Sequence, residues 1–290
     1  MADPLRVVII GSGNIGSDLM AKVGRSPALE LVGMAGIDPD SPGLTRAAEA
    51  GVVTSAKGLE DLLGRIGEVD VAFDATSAGA HGAHAKLLAE RGILSVDLTP
   101  AGLGPPVIPA VNLDAHGDAP DVNLVTCGAQ ATVPVVAAIA RVADVPYAEI
   151  VSTISARSAG PGTRANIDEF TQSTARSLEE VGGAARGKAI ILLNPADPPV
   201  LMRNAIYVDV PGADQDAVLG AVDEVVETVS GYVPGFRLTA APKIDDDVIT
   251  VLLEVEGAGD YLPEYAGNLD IMTSAAVRLA ELRATREVPA

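Results

Sequence analysis

The 290-residue sequence contains one cysteine and no tryptophan, and aromatic side chains make up only 3% of it. One thiol makes neither an intrachain disulfide nor a cysteine-cluster metal site, so no metal centre is expected and a reducing cytoplasmic setting fits. With so few aromatics, the cores must be built from Ala, Val, Leu and Ile. Basic residues are also scarce: 20 Lys and Arg stand against 39 Asp and Glu, a formal charge of −19. Such a surface repels nucleic acid and anionic membranes, and no basic run interrupts it, so neither partner is expected. Small anionic ligands stay open, because backbone N–H groups bind them whatever the net charge. Long apolar runs are missing as well. The N-terminal apolar segment is short and ends in a glycine loop, so it reads as neither signal peptide nor membrane span.

What is present suffices for real cores: 48% of residues are apolar. The length predicts about two domains. Near-continuous apolar strands are expected at 6–10, 29–37, 69–75, 93–96 and 122–125, with helices near 14–24, 43–50, 58–66 and 79–91 between them. That alternation indicates a parallel sheet covered on both faces. The pattern changes after Cys127. A helix is expected over 132–142 and a half-buried strand over 148–156. Ile167, Phe170, Thr174, Leu178 and Val181 recur at helical spacing. Strands follow at 189–193, 205–210 and 248–255, with a helix at 215–229 and a tail helix striped by Leu269, Met272, Ala276, Leu279 and Leu282. The expected fold class is α/β. A Rossmann-type dinucleotide-binding domain would cover 1–128 plus 268–290. A second α+β catalytic and dimerisation domain would cover 129–267, with one broad sheet face able to pair with another subunit.

Gly11-Ser12-Gly13-Asn14-Ile15-Gly16 matches G-x-G-x-x-G directly after a strand and at the opening of a helix, the context that a dinucleotide fingerprint requires. Gly11 makes the tight turn, Gly13 admits the pyrophosphate, and Gly16 lets helix and strand lie close. Asp38 follows the second strand, where an acidic side chain can bind the adenosine ribose and favour NAD over NADP. The 75–81 segment also falls at the carboxyl end of the sheet, with Ser77 a possible helix cap. Asp245, Asp246 and Asp247 read as a solvated charge run.

Cys127 ends a strand, and Pro134 belongs in a helix's first turn, which places the helix start near Thr132. The thiol would then lie just before a helix N-terminus, where a thiolate is favoured. A thiol of pKa ~8.5 is only about 3% ionised at pH 7, and a drop of ~1.5 would make it about half ionised. A nucleophilic cysteine beside a nicotinamide points to aldehyde oxidation through a thiohemiacetal and a thioester. His81, His84 and His116 all precede Cys127. Dehydrogenases of this architecture that use phosphate carry a histidine base after the cysteine, which this order cannot supply.

Six strings together resemble the acylating acetaldehyde dehydrogenases of aromatic-degradation pathways: IIGSGNIGSDLM at 9–20, VDLTPA at 96–101, VTCGAQATVP at 125–134, SARSAGPGTRANIDEFT at 155–171, LNPADPPVLMR at 193–203 and AGNLDIMTSAA at 266–276. The resemblance covers essentially the whole chain. It implies conversion of acetaldehyde, or propanal, with NAD and coenzyme A to acyl-CoA and NADH, with Cys127 as the thioester residue. It implies NAD contacts from Ser12, Gly13, Asn14 and Ile15, from Ser158, Ala159, Gly160, Pro161, Gly162, Thr163, Arg164, Ala165 and Asn166, and from Asn268. It implies a 4-hydroxy-2-oxovalerate aldolase as partner in a heterotetramer, the aldehyde passing through a tunnel, and a homodimer through the second domain. The family often has an aspartate after Met-Arg, proposed to help activate the cysteine; here that position is Asn204, an amide that cannot act as a base. The thiolate is therefore expected to depend on the helix N-terminus, with water taking the proton. Two other readings compete: a phosphorylating semialdehyde dehydrogenase, and a non-catalytic NAD-sensing subunit with an inert Cys127.

Overall fold

The computed structural model describes residues 3–160, 163–164 and 166–286. The chain divides into two compact units: 1–106, 114–124 and 273–290 form the first, and 107–113 with 125–272 form the second. The short return of 107–113 to the second unit was not foreseen in the sequence-based boundaries.

The first unit holds a six-stranded sheet in the order β3-β2-β1-β4-β5-β6. Its strands are β1 Leu5–Ile10, β2 Leu29–Ala35, β3 Val53–Ser55, β4 Val71–Asp74, β5 Leu94–Asp97 and β6 Asp121–Asn123. All neighbouring pairs are parallel. This is the doubly wound order whose ligands bind outside the carboxyl ends of the strands. Helices α1 Asn14–Val23, α2 Pro42–Glu49, α3 Leu59–Leu63 and α4 Ala78–Glu90 connect them. Val8, Ile10, Ala35, Leu62, Ala72 and Leu88 form part of one core cluster.

Two expectations need correcting here. The second strand stops at Ala35 rather than 37, where the chain passes Ser12 so closely that a Cβ on Gly36 would lie 2.7 Å from its hydroxyl. The last strand stops at Asn123, and Val125 adopts a left-handed φ of 61°. A β-branched residue there is strained by roughly 1–3 kcal/mol.

The second unit carries a mixed sheet in the order β10-β12-β9-β7-β8, with β11 paired on β12. Its strands are β7 Ala148–Ser155, β8 Gly187–Asn194, β9 Met202–Asp209, β10 Phe236–Leu238, β11 Lys243–Asp245 and β12 Val248–Val255. Helices α5 Cys127–Ala140, α6 Ile167–Glu180 and α7 Gln215–Ser230 belong to it, and α8 Gly267–Arg286 begins in it. Helix α5 is buried from Gly128 through Ile139. Along β7 and β9, Ile150, Ile154, Ile206 and Val208 supply buried side chains to the same core cluster as α5.

Helix α5 begins five residues before the expected 132. Thr126 is the cap: its Oγ1 accepts from the Ala129 N–H at 3.0 Å. Thr132 instead lies within the helix, and its Oγ1 donates back to the Gly128 carbonyl at 2.7 Å. Pro134 is interior and removes one ladder bond. Among the described residues no helix is long and apolar enough to cross a membrane.

Candidate functional site

A cleft of about 380 Å³ opens at the carboxyl ends of β1, β2 and β4. It is lined by Gly11, Ser12 and Gly13 of the glycine loop, by Asp38, by Thr76 and Ser77, and by His84 among others. That size suits a small-molecule site. The loop conformation explains its glycines. Gly11 has a φ of 106°, and a Cβ there would lie 2.6 Å from the Ala75 carbonyl. A Cβ on Gly16 would lie 1.9 Å from the Gly11 carbonyl, which forces helix and loop together. Gly13 has nothing within 4 Å of its missing Cβ, so the backbone there faces open space. A turn that is open at Gly13, with no side chain in the approach path, fits a dinucleotide pyrophosphate.

The other fingerprint residues take lesser places. Asn14 and Ile15 form the first turn of α1, and Ser12 Oγ accepts from Ser41 Oγ at 2.7 Å. Asp38 is exposed on the cleft wall, and its Oδ1 accepts from the Asp40 N–H at 3.0 Å. Ser77 occupies the α4 cap position, but its hydroxyl makes no capping bond.

Behind the Thr76–Ser77 turn lies a charge cluster that sequence reading did not assemble. Asp74, at the end of β4, is fully buried; its Oδ2 meets His81 Nδ1 at 2.9 Å and His84 Nδ1 at 2.8 Å. Its Oδ1 accepts from the Thr76 amide at 3.1 Å and the Thr76 hydroxyl at 2.5 Å. On the far side of the His81 ring, Nε2 lies 3.3 Å from Asp121 and 3.5 Å from Asp97. Burial would depress the His81 pKa, but the hydrogen bonds to Asp121 and Asp74 and the nearby Asp97 outweigh it and lift it to about 10. Burial opposes ionisation of Asp74 too, yet His81, His84 and Thr76 together hold its carboxyl well below the usual range. Burial pushes the Asp97 carboxyl up. The cluster is thus a buried imidazolium among carboxylates, and it fixes the turn at the cleft wall.

Cys127 is the first residue of α5 and half-buried. The Thr126 cap is itself held by Thr174 Oγ1 at 2.7 Å, whose hydroxyl donates to the Phe170 carbonyl at 2.7 Å. The expected stabilised thiolate is not what the free protein presents. Burial pushes the Cys127 thiol up to about 11, and the amides of Gly128 and Cys127 offset that only in part. The helix terminus acts in the expected direction, but desolvation is larger.

Asn204 sits beneath this turn. It pairs across the sheet with Ser152, and both are buried. Ser152 Oγ donates to Asn204 Oδ1 at 2.6 Å, and the same Oγ lies 3.2 Å from where a Cβ on Gly128 would be. Among the described residues Asn204 Nδ2 has no hydrogen-bond partner.

The 158–166 loop is described in part. Ser158 and Ala159 are buried, and Ser158 Oγ donates to the Ser155 carbonyl at 2.9 Å. Arg164 folds onto its own loop, donating to the carbonyls of Ala159 at 3.1 Å and Ala156 at 2.5 Å, and stays exposed. Pro161, Gly162 and Ala165 lie outside the described residues. Asn268 is the second residue of α8 and not its cap, since a 3-10 turn over Glu264–Ala266 leads straight into that helix. It is buried, and its Oδ1 has no hydrogen-bond partner among the described residues.

With this geometry in hand, comparison places the chain among known proteins. A family model described as "Prokaryotic acetaldehyde dehydrogenase, dimerisation" matches residues 127–263, and one described as "Oxidoreductase family, NAD-binding Rossmann fold" matches 5–97. An acetaldehyde dehydrogenase of Brevibacillus brevis is 57% identical over 279 residues, covering 96% of this chain and 95% of the relative. One from Geobacillus stearothermophilus is 56% identical, covering 99% and 98%. A propanal dehydrogenase (CoA-propanoylating) of Mycobacterium tuberculosis is 53% identical, covering 97% and 96%. Among solved structures, aspartate semialdehyde dehydrogenase II from Vibrio cholerae has the same fold, with a TM-score of 0.62 at 14% identity, covering 96% and 98%.

Proposed function

Because the chain belongs to the acetaldehyde dehydrogenase family, a family of NAD-dependent oxidoreductases, we propose that it makes acyl-CoA from acetaldehyde or propanal through a thioester on Cys127. The observation that carries this reading is the place of the chain's one thiol, at the first turn of α5 with Thr126 capping the helix beside it. Deprotonated Sγ adds to the aldehyde carbon, and the carbonyl oxygen takes a proton. The tetrahedral carbon then loses its hydrogen as hydride and the hydroxyl proton to solvent, which leaves the thioester. The hydride acceptor would be supplied by NAD held in the cleft. The thiol of coenzyme A attacks the thioester carbonyl, acyl-CoA departs, and Cys127 recovers its proton. The backbone of the Ser12–Gly13 turn would hold the pyrophosphate, while the Gly11 amide stays on the Ala35 carbonyl at 2.8 Å, and Asp38 would hold the adenosine ribose.

The remaining parts of the reading rest on the family resemblance. Ser158 to Asn166 and Asn268 supply further cofactor contacts. A 4-hydroxy-2-oxovalerate aldolase delivers the aldehyde at the end of a meta-cleavage route. Two copies pair through the outer face of the second sheet. Support for the pairing comes from that face: Leu252, Ala205, Val151 and Ile190 stand opposite one another across β12, β9, β7 and β8, and Leu252 is 38% exposed.

The test is NADH formation with acetaldehyde and with propanal, run with coenzyme A and separately with phosphate. Absorbance should rise with coenzyme A and not with phosphate, and Cys127→Ala should abolish it while NAD affinity stays within a few-fold. Phosphate-dependent turnover, or activity of the alanine variant above a few per cent, overturns the assignment.

A further inference from the structure

The cleft described above is short of positive charge. Asp38 is the charged acid among its lining residues, and none of them is a Lys or Arg. A dinucleotide brings two phosphate charges to a chain whose own formal charge is −19. One lining side chain can become a cation, and that is His84. Its ring is 20% exposed, and Nδ1 is committed to the buried Asp74 carboxylate at 2.8 Å. That contact fixes the ring on the cleft wall and leaves Nε2 as its uncommitted nitrogen.

On the reading that this cleft holds NAD, we propose that His84 is a phosphate ligand of the cofactor, aimed by Asp74. The proton balance follows from acceptors on both sides. Asp74 is held as a carboxylate, which accepts only, so Nδ1 must carry a proton. A phosphate oxygen also only accepts, so Nε2 must carry one too. In the complex both ring nitrogens therefore act as donors. The charged groups facing this ring are few. Asp74 at the end of β4 is one, and His81 on α4 lies across the same carboxylate. The loops at 11–13 and 76–77 bring only amides and hydroxyls. The buried cluster acquires a purpose in this account, since His81, Asp97 and Asp121 hold Asp74 in place behind the ring that meets the phosphate.

The experiment is calorimetric titration of NAD and of ADP-ribose into the wild type, His84→Gln and His84→Ala. The Kd of both variants should rise at least about tenfold, as expected for loss of a hydrogen bond to a charged group. NAD and ADP-ribose should lose equally, because they share the pyrophosphate. His84→Gln keeps an amide able to donate to Asp74, so it covers the case in which His84→Ala does not fold. Affinity within twofold of wild type in the glutamine variant overturns the role of His84 alone. A wild type that binds neither ligand overturns the cofactor reading on which it rests.

Discussion

Alkylation of Cys127 in the free protein should be slow at neutral pH and should rise without a plateau well into the alkaline range. The thiol is held at about 11 by burial. At pH 7.5 that leaves roughly 0.03% as thiolate, against roughly 9% for an ordinary thiol of pKa ~8.5, a factor of about 300. The difference corresponds to roughly 3 kcal/mol in favour of the neutral form. The sign is that of desolvation: the helix-terminal amides lower the value, and loss of water raises it by more. The assay is the second-order rate with iodoacetamide between pH 6.5 and 10.5, read by mass spectrometry at the chain's single cysteine. The expected profile climbs about tenfold per pH unit up to about pH 10. A plateau with its midpoint below pH 8.5 would refute the argument, because it would mean that the amides of α5 outweigh burial. The same displacement makes folding weaker in alkali. A folded-state thiol pKa above the unfolded one contributes stability below ~8.5 that is lost as pH rises towards 11.

Gly13→Val should fold normally, since its Cβ meets nothing within 4 Å, and should raise the NAD Kd more than about tenfold by filling the pyrophosphate's approach; an unchanged titration curve would make the loop a plain turn. Leu252→Glu should shift light-scattering mass from dimer to monomer by placing a carboxylate on an apolar sheet face, and a persistent dimer would move the interface elsewhere. Lys22→Met should cost about 3–5 kcal/mol in urea unfolding, because it strips the cation from the buried Asp18, which otherwise has Lys22 at 2.7 Å and the Thr273 hydroxyl at 2.6 Å. A cost below 1 kcal/mol would show that the pair is dispensable.

The first unit was legible because its signals are local. The strands at 6–10 and 69–75 are continuous apolar runs, the glycine loop has a fixed spacing, and the helices between them announce themselves by period. What escaped notice was short or long-range. Val53–Ser55, Phe236–Leu238 and Lys243–Asp245 have three residues each, too few for any periodicity to register. The start of α5 was misplaced because two threonines compete as caps and local rules favour the one nearer Pro134. The buried bond from Thr126 to Thr174, 48 residues away, accompanies the choice of the other. The left-handed Val125 was invisible for a related reason, since no propensity favours a β-branched residue there.

The site was legible to the extent that its chemistry is written in one stretch of chain. Gly11 to Gly16 and Cys127 could be picked out, while the environment that decides how each behaves could not. The position of Cys127 near a helix terminus suggested a stabilised thiolate, but its protonation is set by burial, which depends on helix α5 lying inside a core assembled from residues as far apart as Ile108 and Ile271. The same holds for Asp74, Asp97 and Asp121. Each ends or begins a short strand and looks like an ordinary acidic residue of a turn. Only the order β4-β5-β6 brings their carboxylates together, where a single helix supplies His81 into their midst. A one-turn spacing of His81 and His84 on α4 was in plain view, yet its meaning depends on Asp74 lying between the two rings. Sequence pattern locates groups that act through the backbone; the charge state of a side chain belongs to its neighbours in space.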